Sequence, residues 1–162
     1  MITIRPQDLV SGYNVVFKTV KTGPAPAWVE LDESLYTVTI ATDVCETIYN
    51  NTPFAQTTSI QAFYAGALVH EIMHILEETL TKRIPYRNNA IADTLANIIN
   101  DAHDEYRGCY KYPSYAPYIQ LVVSTLKHVT IAMWPGNTND IDFDIKTVYH
   151  LTRFGVIIEK SD

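Results

Sequence analysis

Cysteine is scarce in this chain: Cys45 and Cys109 stand far apart, and no Cys-x-x-Cys pair occurs. That argues against a thiolate metal cluster and against the disulfide framework of a small secreted domain. Free thiols in a reducing compartment are the expectation. Basic runs are missing too. Twelve Lys and Arg face eighteen Asp and Glu, a net charge of −6 with no stripe of one sign, which disfavours nucleic acid and other anionic partners. The longest apolar stretch, IQAFYAGALV, is interrupted by Gln61 and is too short to span a bilayer. The start, MITIRPQDLVSGYNVV, lacks the basic-then-apolar pattern of a signal peptide. These absences predict a soluble, cytoplasmic protein with no membrane partner.

What is present reads as one globular domain over 1–162. With 162 residues, 47% hydrophobic and 19% charged, the chain can build a real core. Residues 1–50 are the strand-rich part: TIRP and YNVVFKTV carry β-branched and aromatic residues, and Leu35–Ala41 (LYTVTIA) alternates like a half-exposed strand. KTGPAPAW between them reads as a loop, and DVCETIYNN as a short helix. A helix is predicted from Ile60 to about Lys82, with Thr57, Thr58 and Ser59 as candidate caps and Pro85 as its stop. Its first half is apolar on nearly all sides, the mark of a buried helix. A second helix spans about Asn88 to Tyr106, closed by Gly108. CYKYPSYAPY reads as a loop. A third helix then covers roughly Ala116 to Met133, and DIDFDIKTVYHLTRFG is another, before VIIEK. The expected class is α+β.

The buried helix carries LVHEIMHILEE, in which His70-Glu71-Ile72-Met73-His74 fits the H-E-x-x-H pattern. Residues four apart on a helix differ by about 40° in direction, so both imidazoles face one point. Glu71 lies about 100° from His70, beside an ion rather than on it. Zinc lowers the pKa of its water to about 7, and a neighbouring carboxylate can take the proton. Two histidines and a glutamate buried in an apolar helix need partners, which favours a metal over satisfied core histidines.

A catalytic zinc needs a third protein ligand and an open position. The second helix offers Asp101 and Glu105, four apart on the stripe that also holds Asn97, flanked by core residues Leu95, Ile98 and Ala102. Glu77 and Glu78, just past His74, are rivals. His103 points about 160° away from Asp101 and reads as a surface histidine. The residues leave the choice of third ligand open.

H-E-x-x-H followed by a helix with an acidic ligand resembles the gluzincin clan of zinc metallopeptidases. Thermolysin-like members read Asn-Glu-x-x-x-Asp there. This chain has Asn100-Asp101-Ala102-His103-Asp104-Glu105, with the two acids exchanged in length. NIINDAHDE is also similar to a stretch of metallopeptidase-type domains found beside von Willebrand A modules. The resemblance covers roughly residues 60–106. It implies a zincin-like fold: a small antiparallel or mixed N-terminal sheet packed on an active-site helix and a ligand-bearing second helix. It also implies a Zn2+ hydrolase acting on peptides or proteins. His70, His74 and Asp101 would hold the ion, Glu71 would be the base, and Glu105 would hydrogen-bond the far nitrogen of His70. Asp101 is one methylene shorter than the thermolysin-like ligand, so the helices must approach closely. Tyr106, Tyr110, Tyr112, Tyr149 and His150 are candidates for stabilising an oxyanion. Leu35–Ala41 is a candidate edge strand for an extended substrate, and Trp28 and Trp134 read as core or loop anchors. The rival reading is a non-catalytic binding or structural module, phage-borne, stapled by zinc. A third is a peptidase held inhibited in a larger assembly, with the tyrosine-rich segment over its cleft.

Overall fold

The computed structural model describes residues 5–132 and 140–155, with the backbone alone at 130–132 and 140–144. The architecture is α+β. Three strands form a mixed sheet: β1 (Val15–Val20), β2 (Ala27–Asp32) and β3 (Leu35–Ala41), in the order β1-β3-β2. β3 runs parallel to β1, with Val38 opposite Phe17, and antiparallel to β2, with Val38 opposite Val29. Six helices are described: α1 (Thr42–Asn50), α2 (Ile60–Leu76), α3 (Thr79–Lys82), α4 (Ala90–Lys111), α5 (Ala116–Ala132) and α6 (Asp140–Phe154). None is long and apolar enough to cross a membrane. Residues 1–4, Trp134 and the VIIEK tail lie outside the described residues, and Pro6–Val10 forms a 3-10 turn.

Helix α2 is the axis of the molecule. The side chain of Ser59 caps it by accepting from the Ala62 amide at 3.2 Å. Its apolar residues then pack in three directions. Ile72 and Ile75 meet Val38 of the sheet and Val10. Phe63 and Ala67 meet Cys45 and Tyr49 of α1 and Val122 of α5. Val69 and Met73 meet Tyr115 and Ile119. Full burial stabilises such side chains by roughly 1.5–3 kcal/mol each, so packing rather than helix propensity holds α2 in place.

Several elements differ from the sequence expectation. β3 is the central strand, paired on both sides, so it offers no free edge to a substrate. The edge strands are β1 and β2, and the first residues of β2, Ala27 and Trp28, belong to the stretch read as a loop. Its alternation of Trp28, Glu30 and Asp32 with Val29 and Leu31 was the available signal. The long helix breaks in two. Glu78 adopts φ 56°, a left-handed conformation, and separates α2 from α3. Helix α4 runs on through Gly108 to Lys111 instead of stopping there. Its N-terminus is capped by Asn89, whose side-chain oxygen accepts from the amides of Ile91 and Ala92 at 3.1 Å each.

Two glycines mark close helix contacts. A Cβ at Gly66 would strike the backbone carbonyl of Tyr118 in α5, and one at Gly108 would press on Ile119 and Met73. A backbone carbonyl cannot rotate aside, so Gly66→Ala should destabilise the fold by about 1–3 kcal/mol. Urea unfolding measures this; a wild-type midpoint would contradict the packing described.

Candidate metal centre

The break after α2 and the long α4 bring two sets of polar side chains together. α2 contributes His70, Glu71 and His74. α4 contributes Asp101, Asp104 and Glu105. Five of these six are buried, and the His70 side chain is 13% exposed.

His74 is tightly oriented. Its Nδ1 lies 2.7 Å from Asp104 Oδ2. The same carboxylate oxygen accepts from Thr79 Oγ1 at 2.5 Å, and its other oxygen lies 3.0 Å from His103 Nδ1. With Nδ1–H given to a carboxylate, the Nε2 lone pair is turned inward. His70 is held similarly but less directly. Glu105 Oε1 is 3.1 Å from its Nδ1, near enough for an ion pair but off the direction of a well-formed hydrogen bond.

The inward atoms converge. His70 Nε2 and His74 Nε2 are 3.1 Å apart. Asp101 Oδ1 lies 3.3 Å from His74 Nε2 and 3.9 Å from His70 Nε2. Zinc bonds of 2.0–2.2 Å in a tetrahedron place ligand atoms about 3.3–3.6 Å apart, so this triangle has the dimensions of a metal site. His70, His74 and Asp101 thus form a group that could hold a metal ion. Glu71 Oε1 lies 4.0 Å from His70 Nε2, at the margin of the triangle.

Charge points the same way. Four buried carboxylates, Glu71, Asp101, Asp104 and Glu105, lie near one buried guanidinium, Arg153 of α6. Burying negative charge without compensation is costly, and the group responds through its titration. Burial pushes the Glu71 carboxyl up, against the pull of the two histidines. Burial would likewise raise Asp101 and Asp104, but hydrogen bonds from His74 outweigh it and hold both below their ordinary range. Burial disfavours the His74 imidazolium, yet Asp101 and Asp104 overcome it and push the pKa up to about 10. Burial disfavours the His70 imidazolium too, but Glu105 and Glu71 outweigh it and raise His70, so in the metal-free site protons take the place of an ion.

The other sequence candidates fall elsewhere. Glu77 pairs with Lys111 Nζ at 2.5 Å and with Arg107 at 3.7 Å, away from the histidines. Glu78 is the left-handed residue of the helix break. Asn97 accepts from Arg83 Nη1 at 2.7 Å. The His103 side chain is 50% exposed, outside the triangle, and bonds Asp104 instead. Tyr106 and Tyr110 are exposed. His150 is buried, with Nδ1 on the Lys146 carbonyl. None of the five oxyanion candidates lines the cavity described next.

That cavity, of about 620 Å³, opens beside the triangle. His70, Glu71, His74, Asp101 and Arg153 line one side, and residues 25–31, which include most of the edge strand β2, line another. Trp28 is thus on the cavity wall rather than in the core. Sequence reasoning missed Asp104, Thr79 and Arg153. Asp104 was in principle visible three residues past Asp101; the other two depend on the helix break and on α6 docking.

An ion entering this site must displace the proton on His74. Affinity for Zn2+ should therefore rise with pH up to about 10, because His74 carries its proton below that value. Proton release should accompany uptake at pH 7, from His74 at least. Calorimetry in buffers of different ionisation enthalpy reads this directly, and zinc uptake without proton release would contradict the arrangement.

In comparisons with known proteins the chain matches no family model, no curated protein and no solved structure.

Proposed function

We propose that this chain is a zinc-dependent metallopeptidase of zincin-like fold, with Glu71 as the general base. The observation that carries the reading is the convergence of His70 Nε2, His74 Nε2 and Asp101 Oδ1, at 3.1, 3.3 and 3.9 Å from one another, at the wall of an open cavity with Glu71 beside it. The donor set, two imidazoles and one carboxylate, suits zinc and is that of catalytic rather than closed structural sites. Zinc held there would supply Lewis acidity, polarising a carbonyl and lowering the pKa of a water.

The chain's own groups would do the rest. Glu71, buried and with its carboxyl raised by that burial, is suited to take a proton from the attacking water and to return it to the leaving amine. Asp104 and Glu105 keep the imidazoles aimed. Among the described residues one edge of β2, along the cavity, is unpaired, and an extended peptide could add there as a further strand; backbone hydrogen bonds would then present its carbonyl to the site. This role passes to β2 from β3, whose two edges are both used.

The test pairs metal content with turnover. Wild type should bind one zinc and cleave a quenched fluorescent peptide library. Glu71→Gln should keep the zinc and lose about 10²–10⁴-fold in rate. Asp101→Ala should stay folded and lose the zinc. A wild type that binds zinc but cleaves nothing, with Glu71→Gln indistinguishable from it, would turn the reading to a zinc-stapled binding module.

A further inference from the structure

Arg153 comes from α6, a segment with no metal-binding pattern, yet its side chain is only 4% exposed and lines the cavity at the metal centre. Nη1 lies 3.5 Å from Asp101 Oδ2, whereas the closest approach of both histidines is to Oδ1. Nη2 donates to Glu105 Oε1, the atom that also faces His70 Nδ1. Nη1 further donates to the Tyr149 hydroxyl at 3.3 Å, and the guanidinium lies over the Tyr149 ring at 5.4 Å from its centroid. Burial alone would lower the guanidinium's pKa, but Glu105 and Asp101 more than offset this, so it stays charged.

A carboxylate can give an ion one oxygen or both. When both are free, the second can swing inward, and the ion gains a fifth contact or loses the position that water would take. The planar guanidinium fork suits two carboxylates at once, which a lysine ammonium on a flexible stem does less well. We infer that Arg153 is a positioning residue of the metal centre: by engaging the outer oxygen of Asp101 it makes that ligand one-toothed and keeps a fourth coordination position open. Its hold on Glu105 ties the same restraint to the orientation of His70. The inference rests on the reading of His70, His74 and Asp101 as ligands, and it is independent of whether peptides are cleaved.

The experiment titrates metal-free wild type, Arg153→Met and Arg153→Lys with Zn2+ and Co2+. Chelator competition gives affinity, and the intensity of the Co2+ visible bands gives coordination number. Wild type should bind one ion with the strong bands of a four-coordinate site. Arg153→Met should lose about 10- to 100-fold in affinity, the usual cost of removing an outer partner of a ligand, and its bands should weaken towards the five-coordinate pattern. Arg153→Lys keeps the charge and should lose less. If Arg153→Met does not fold by circular dichroism, Arg153→Lys decides alone, since the inference requires weaker binding than wild type. Folded variants with wild-type affinity and band intensity overturn the inference while leaving the ligand set intact. A wild type that takes up neither ion overturns both.

Discussion

Two imidazole nitrogens facing each other at 3.1 Å are the constraint on which this structure turns. Bare lone pairs repel at that distance, so a proton or a metal ion has to lie between them. The facing arrangement is imposed from outside. Asp104, itself held by Thr79 and His103, takes Nδ1 of His74, and Glu105 sits against Nδ1 of His70. Each of those partners depends on a feature of the fold. Thr79 reaches Asp104 because the chain turns left-handed at Glu78 and begins a new helix. The three acids of α4 arrive together because that helix packs directly on α2, with Gly108 allowing contact against Met73.

The centre is expensive for the fold. Four carboxylates are buried in the same region, and their charge is offset there by the Arg153 guanidinium and by the proton that His74 holds. Apolar packing on the remaining faces of α2 offsets this, through the clusters around Phe63, Ile72 and Met73. A site that the rest of the domain must stabilise is one retained for what it does, not for the stability it adds. That favours a functional ion over a histidine pair that is merely satisfied.

The sequence made part of this legible. The spacing of His70 and His74 is a local property of one helix, so helical geometry alone predicted their convergence. Asp101 and Glu105 followed from a polar stripe on a core-facing helix, and the structure brings both to the histidines. Asp104 lies on the same broad face but off the four-residue stripe, and it went unread. Arg153 could not be read at all: its partners are about fifty residues away, and only the docking of α6 on α4 joins them. The α+β class was visible in the early strands and later helices. The sheet order was not, because β2 hid behind a run of glycine and prolines, and a strand's neighbours are set by tertiary contacts rather than by its own residues.

The distinction between a staple and a working centre comes down to what faces the ion's last side. A structural zinc is closed by four protein ligands. Among the described residues the converging group has three, and beside it lie Glu71 and a cavity of about 620 Å³ that would leave room for a further ligand. A staple gains nothing from a buried carboxylate that burial drives towards protonation, nor from a strand edge, unpaired among the described residues, along the same opening. Both cost stability, and both are what a hydrolytic site needs: a carboxylate whose proton affinity burial has raised, and a rail that fixes an extended chain beside it. The neighbours of His70, His74 and Asp101 thus favour catalysis more than those three residues do themselves.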